Sequence, residues 1–401
     1  MTATALDGIR VLDFTRILAG PTCTMLLADL GADVIKVENP GKGDDTRHWG
    51  PPWLGTGDDR QSAYFLSVNR NKRSLTLNLK TEAGQNIAKK LATRSHVVIE
   101  NFKRGQMDGF GLGYHNLKQV NPALVYCSIT GFGQTGPYSQ RPGYDYVIQA
   151  MSGLMSITGP TDGDPHKVGV ATADIYAGLF ATTAIQAALR HSERTRQGQY
   201  IDTSLLDSQI AALVNIASNF LVSGMTPPRL GNLHPNIVPY QTFRAADGEF
   251  VLAVGNDRQF RLLCGMIERQ DLLEDPRYAT NPARVENRDT LVPILQEIFA
   301  QQPRKRWISS LLENGIPAGP INDVGTALHD PHVQARGMVA EAAHPNGETL
   351  RYVASPLKLS ETPAEMRTPP PLLGQHTDEI LTDLLNLNPA DINDYRQQGV
   401  I

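Results

Sequence analysis

Ile9-Arg-Val-Leu-Asp-Phe14 reads as an apolar strand, and Ala32-Asp-Val-Ile-Lys-Val37 as a second one. Between them the chain turns at Ala19-Gly20-Pro21 and runs as a helix to about Leu30, where Gly31 ends it. Proline at a first helical position suits its fixed φ, and its missing N–H would have had no partner there. Ser74–Leu79 then reads as a strand, Thr81–Thr93 as a helix, and His96–Glu100 and Leu124–Thr130 as further strands. Strands separated by helices of about 10–15 residues predict right-handed crossovers and a parallel sheet with helices on its faces, an α/β fold. Ligands of such sheets bind beyond the carboxyl ends of the strands. The loops that begin at Thr15, Glu38, Leu79, Asn101 and Gly131 are therefore the ones to watch.

The last of these loops, Gly131 to Tyr146, carries Gly131, Gly133, Gly136 and Gly143, which let backbone approach a ligand closely. A helix from Asp174 to Arg190 places Ala177, Ala181, Ala184 and Ala188 on one face, a stripe suited to tight packing, with Asp174 at its N-cap. A short strand at Tyr200–Thr203 and a helix from about Ser204 to Val222 follow. Residues 224–238 are rich in Gly, Pro and Asn and read as a linker. Beyond it, Asp247-Gly248 joins two strands in a hairpin, and helices at about 258–267, 288–301 and 303–314 complete a small α+β domain. Short strands at 338–344 and 349–353, an extended Pro-rich stretch and two helices close the chain.

Composition excludes several classes. A net charge of -4 leaves no basic footprint for nucleic acid. No apolar run approaches the ~20 residues that span a bilayer, so no membrane partner is expected. The N-terminal residues show no basic and apolar succession of a secretory signal. Three scattered cysteines without a Cys-x-x-Cys pattern fit a reducing cytoplasm and neither a disulfide framework nor zinc. His234, His329, His332, His344 and His376 show no metal spacing, so no metal is expected.

Asp174 is the sharpest chemical candidate. Aspartate is a favoured cap that contributes ~1 kcal/mol. The same position at a helix N-terminus favours the ionised form, and an ionised, partly desolvated carboxylate in a crevice is a nucleophile. Glu38, at the end of the second strand, stands where dinucleotide-binding folds keep a ribose-binding acid. Thr15-Arg-Ile-Leu-Ala-Gly-Pro21 lacks the Gly-x-Gly-x-x-Gly pattern, however, and this weakens a nicotinamide reading. Lys80, Lys103 and Arg104 follow strand ends on one edge of the sheet and together can meet a pyrophosphate.

Leu6-Asp-Gly-Ile-Arg-Val-Leu-Asp-Phe14, Leu18-Ala-Gly-Pro21, Leu30-Gly-Ala-Asp-Val-Ile-Lys-Val-Glu38, Gly43-Asp-Asp-Thr-Arg47, Asn69-Arg-Asn-Lys-Arg73, Glu100-Asn-Phe102, Thr130-Gly-Phe-Gly133 and Leu373-Gly-Gln-His-Thr377 resemble the class III (CaiB/BaiF) CoA-transferases along essentially the whole chain. Ser128 to Pro137 and Gly231 to Gln241 look most like the branch that exchanges CoA between dicarboxylic acids, as in succinyl-CoA:glutarate transfer. The resemblance implies a Rossmann-like large domain over residues 1–205, a helix and linker over 206–238, and a small α+β domain over 239–325. Residues 326–401 would return to pack on the large domain. It also implies an interlocked homodimer, acyl-CoA and small carboxylic acids as substrates, and no permanently bound cofactor. The family's nucleophile falls on Asp174. Its CoA contacts fall on Ile17, Leu18, Leu77, Lys80, Asn101, Phe102 and Tyr144, with Arg104 and Lys103 as substitutes for arginines found elsewhere in the family. Asn39 and Gly109 stand where the formyl-CoA branch has those arginines, and the His234–Tyr240 stretch replaces its small-domain glycine loop. Asp145 sits where that branch has an acid near the site. Arg47 is the choice for a substrate's second carboxylate, and His234 joins Asp145 as a further substrate candidate. Three rivals accompany this reading. One is a 2-methylacyl-CoA racemase of the same family, working with a His/Asp pair. The others are a nicotinamide-dependent dehydrogenase and a non-catalytic CoA-binding protein.

Overall fold

The computed structural model describes residues 4–401; the start of the stretch read for a targeting signal lies outside the described residues. The chain divides into two compact units. The larger holds residues up to Leu154, Lys167–Met225 and Pro331–Ile401, and the smaller holds Met155–His166 and Thr226–Asp330. Residues 155–166, expected inside the 1–205 domain, thus group with the smaller unit, and the helices that follow residue 204 stay with the larger one.

Six parallel strands form the centre of the larger unit: β1 (Arg10–Asp13), β2 (Asp33–Glu38), β3 (Lys72–Thr76), β4 (Val97–Glu100), β5 (Val125–Thr130) and β6 (Tyr200–Ser204). Their order is β3-β2-β1-β4-β5-β6, the 3-2-1-4-5-6 order of dinucleotide-binding folds. The direction of winding reverses between β1 and β4. Side chains alternate between two buried faces. Leu12, Ile35, Leu75 and Val98 pack under α2 (Glu82–Thr93) and the helix Thr377–Leu385, while Val11, Val34, Val97 and Ile99 pack under two other helices. Those two are α1 (Ala19–Asp29), buried along its whole length, and α4 (Thr172–Thr195). Between α2 and α4, α3 (Asp145–Met151) interrupts the end of the glycine-rich loop, where no helix was expected.

The small-residue face of α4 does what its spacing predicts. Ala177, Ala181, Ile185 and Ala188 are fully buried, Ile185 taking the place expected of Ala184. A Cβ at Gly178 would lie 2.7 Å from the Ala19 carbonyl oxygen, so the two helices touch through bare backbone. This contact sets the start of α4 beside the start of α1.

The single helix expected over 204–222 is broken into α5 (Leu205–Ala211) and α6 (Val214–Ser223), with Val214 at φ +44°. No residue of α6 is buried. Among the described residues no single helix is long and apolar enough to cross a membrane.

In the smaller unit the predicted hairpin is present, β7 (Tyr240–Ala245) with β8 (Gly248–Ala253), joined antiparallel by β9 (Ala318–Pro320). Phe243, Phe250 and Phe299 cluster at its centre, Phe250 edge-on to Phe299 and the other two pairs tilted. Arg284 is wholly buried against the Phe260 ring, and its guanidinium donates to the carbonyls of Val238 and Tyr278 and to Asp257.

Candidate active site

The reversal between β1 and β4 opens a crevice whose lips are the loops that follow those strands. The first lip is Thr15–Leu18. Ile17 adopts φ +71°, a conformation that costs a β-branched residue of order 1–3 kcal/mol. Its N–H donates to both oxygens of Asp44 at 3.2 Å. Asp44 is itself fixed: it accepts from Thr46 N (3.0 Å), Thr46 Oγ1 (2.8 Å) and the buried Lys36 Nζ (2.8 Å). Burial alone would raise Asp44, but the Lys36 ammonium and the Thr46 donors outweigh it and hold the carboxyl well below the usual range. Lys36 Nζ also donates to Thr15 O at 2.9 Å, so one buried ion pair pins both ends of the turn.

The second lip is Asn101–Arg104. Asn101 and Arg16 exchange two bonds, Arg16 N to Asn101 Oδ1 at 2.9 Å and Asn101 Nδ2 to Arg16 O at 2.8 Å. Between the lips lies a cleft of about 220 Å³, closed on its far side by Ser139–Tyr144 of the glycine-rich loop and floored in part by Asp174. An adjoining recess of about 260 Å³ shares Arg16, Phe102 and Gln106 with it and adds Phe14, Leu77, Lys42, Lys80 and Phe110.

Asp174 is the third residue of α4 and not its cap; Ala171 holds that position. The helix N-terminus is served from elsewhere, by Asp145 Oδ1, which accepts from Ala173 N at 2.8 Å. Asp145 Oδ2 accepts from Gln149 Nε2 at 2.7 Å. The Asp174 carboxylate accepts no hydrogen bond among the described residues, so it is open to a substrate. The helix dipole was expected to keep it ionised. Instead burial, and secondarily the Asp145 charge, push it up to about 7. Tyr64, on the short helix Ala63–Ser67, lies in the same field: burial and the charges of Asp174, Asp145 and Asp44 raise its hydroxyl.

The cleft brings together Ile17, Leu18, Asn101, Phe102, Arg104, Tyr144 and Asp174, and the recess takes Leu77 and Lys80. Two expectations, those for Arg47 and Glu38, are corrected. Arg47 does not offer a cation to a substrate. It is nearly buried, clamped at 2.7 Å through Nε and Nη2 to both oxygens of Glu38, and stacked 3.7 Å from the Phe65 ring. The same clamp, with Ser74 Oγ at 2.7 Å, consumes Glu38 and removes it as a ribose acceptor. His234 belongs to the smaller unit, where its Nδ1 accepts from Asn236 N at 3.1 Å and its ring rests against Tyr240. Arg16, Lys42, Gln106 and Arg141 line these spaces without having been singled out. Their signal was available, since each lies on a loop that leaves a strand's carboxyl end or, for Gln106 and Arg141, a few residues further along one. Tyr64 had no such signal. Among the described residues no group of histidines, cysteines and acids has the geometry to hold a metal ion.

The sequence profile of CoA-transferase family III matches residues 6–377. A succinate–glutarate CoA-transferase of Agrobacterium fabrum is 48% identical over 381 residues, which is 94% of this chain and 95% of that protein. A succinyl-CoA:glutarate CoA-transferase of Mus musculus is 46% identical, over 99% of this chain and 90% of its own. The crystal structure of a CaiB/BaiF family protein from Brucella suis superposes with a TM-score of 0.84 at 47% identity, covering 96% of this chain and all of that one.

Proposed function

Because the chain belongs to CoA-transferase family III, we propose that it carries CoA from succinyl-CoA to a free dicarboxylate, glutarate in the first instance, with Asp174 as the covalent nucleophile. The observation that carries this reading is a carboxylate with no hydrogen-bond partner among the described residues, held in the crevice where the strand order reverses. Burial makes that carboxylate reactive when ionised, since water no longer competes for its oxygens.

The pantetheine arm lies along Ile17, Leu18, Asn101 and Tyr144, and the nucleotide occupies the adjoining recess. There Phe102, Phe110 and Leu77 give an apolar seat for the base, and Arg16, Lys42 and Lys80 meet the phosphates. Asp174 attacks the thioester carbonyl, giving a mixed anhydride and CoA thiolate. The thiolate attacks the aspartyl carbonyl, releasing succinate and leaving an aspartyl-CoA thioester. Glutarate attacks that thioester, expelling the thiolate, which then takes the glutaryl group and returns Asp174 as carboxylate. Backbone N–H groups near Asp174 would stabilise the tetrahedral oxyanions. Arg16, Lys103, Arg104 and Arg141 are the cations that line the cleft, and one of the last three takes over the role expected of Arg47.

The racemase reading needs a histidine beside the aspartate, and none of the residues lining the cleft is a histidine. A panel of acyl-CoAs crossed with free dicarboxylates, read by mass spectrometry, tests the proposal. Glutaryl-CoA formed from succinyl-CoA is the expected product. Deuterium wash-in at the α-carbon without CoA exchange would overturn the assignment.

The working form is a homodimer whose chains interlock. On α6, Phe220, Leu221 and Val222 are 45%, 80% and 88% exposed, a row of large apolar side chains that a second copy would cover. Sedimentation at micromolar concentration should return twice the chain mass, and a monodisperse monomer would contradict this. The three cysteines are free and buried, which suits a reducing cytoplasm.

A further inference from the structure

Behind the wall that Lys103, Arg104 and Gln140 give the Asp174 cleft lies a separate cavity of about 550 Å³. Glu100, the last residue of β4, borders this cavity and is 5% exposed. It does not line the cleft, and among the described residues it has no ion-pair partner. A buried carboxylate without a cation costs stability, so a strand end that keeps one invites the question of what it holds.

It holds two loops. Glu100 Oε2 accepts from Phe102 N at 2.8 Å, which sets the direction of the Asn101–Arg104 lip. Glu100 Oε1 is hydrogen-bonded by the Ser128 hydroxyl from β5. Ser128 Oγ in turn accepts from Gln134 Nε2 at 2.9 Å, and Gln134 N donates to Asp202 on β6 at 3.0 Å. An unbroken series of bonds therefore runs from one lip of the cleft, through Glu100, to the root of the glycine-rich loop that closes the cleft's far side. At their outer ends the same two loops are joined again, by Arg104 Nη1 to Ser139 Oγ at 3.0 Å.

We propose that Glu100 is a positioning residue for the transfer reaction: it fixes the Asn101–Arg104 loop and the glycine-rich loop relative to each other, and so sets the width of the acyl-CoA site. This rests on reading the Asp174 cleft as that site. Burial pushes Glu100 up to about 7, so the neutral and ionised forms are both populated near neutrality, and a neutral amide is a fair replacement. Glu100→Gln keeps an oxygen for Phe102 N–H and offers an N–H to Ser128 Oγ.

Steady-state kinetics with succinyl-CoA and glutarate test the proposal. Glu100→Ala should raise KM for succinyl-CoA by about tenfold or more while kcat stays within about threefold. Glu100→Gln should return KM to within about threefold of wild type. A folded Glu100→Ala with wild-type KM would overturn the inference, as would a fall confined to kcat or a Glu100→Gln as impaired as the alanine. Should Glu100→Ala not fold, Ser128→Ala and Gln134→Ala carry the test, since each cuts the same series of bonds while leaving Glu100 and its bond to Phe102 N in place. Each should raise the same KM by about threefold, and two unchanged values would defeat the proposal. Asp174→Ala run alongside separates the two readings. Turnover in that variant would remove the site itself, whereas a dead Asp174→Ala beside a kinetically normal Glu100→Ala would remove only the positioning role.

Discussion

Replacement of Asp174 by alanine is expected to lower transfer from succinyl-CoA to glutarate by at least about 10⁴-fold, because it deletes the atom that forms each covalent bond in the cycle. Binding of free CoA, followed by calorimetry, should survive, since Phe102, Leu77 and Lys80 are untouched. Hydroxylamine added during turnover of the unaltered enzyme should convert Asp174 to its hydroxamate, detectable on the peptide that contains it. Appreciable transfer by the alanine variant would take the nucleophile's role away from this residue. The pH dependence has a definite sign. The nucleophile is the carboxylate and burial pushes it up to about 7, so kcat/KM should climb between pH 6 and 8. Stability should move the other way. A folded pKa above the ordinary value of 3.8 means the native state prefers the protonated form. The resulting penalty is absent below pH 4, grows as pH rises, and is complete above 7. Asp174→Asn should therefore be more stable than wild type at pH 8, by about 1–2 kcal/mol given that the group is only partly buried, and the gap should narrow toward pH 5. Thermal melts of both proteins at the two pH values read this directly.

Removal of Asp44 should have the largest effect on stability. Its side chain and that of Lys36 are fully buried and 2.8 Å apart. Without the carboxylate, the Lys36 ammonium keeps Thr15 O as its hydrogen-bond acceptor but loses its one hydrogen-bonded countercharge, leaving the Asp13 and Glu38 charges to act from further off, and breaking a buried pair from one side costs about 3–5 kcal/mol. Asp44→Ala also frees the Ile17 N–H, so the left-handed turn at the cleft relaxes. The expected result is a urea midpoint far below wild type together with weakened CoA binding. Adding Lys36→Met should restore part of the midpoint, because no lone charge is then left inside, but not the binding, because the turn still lacks its acceptor. A midpoint unchanged in Asp44→Ala would show that the pair does not hold the loop.

Much of the larger unit was legible in the residues. Apolar strands alternating with helices allow little besides a parallel sheet, and the helix read over Thr81–Thr93 is present as Glu82–Thr93 with Thr81 as its cap. What stayed hidden depended on partners distant in the chain. Asp174 resembled a cap because aspartate favours that position, yet the acceptor for the helix start arrives from Asp145. Arg47 looked free on a polar loop, yet Glu38 claims its guanidinium. The break between α5 and α6 falls in a continuous apolar run with no glycine or proline to announce it. The strand order, and with it the place of the cleft, follows from pairings that no local pattern encodes.

The paired bonds between Arg16 and Asn101 have a consequence for ligand capture. An asparagine side chain carries the same donor and acceptor as a peptide unit, so the two lips are joined as if by one more rung of sheet, across 85 positions of sequence. That rung closes when β1 and β4 come together during folding. The freedom of both lips is surrendered then, before any ligand arrives, and a thioester entering the crevice meets walls already in register. Part of its affinity is preorganisation, laid down when the sheet formed.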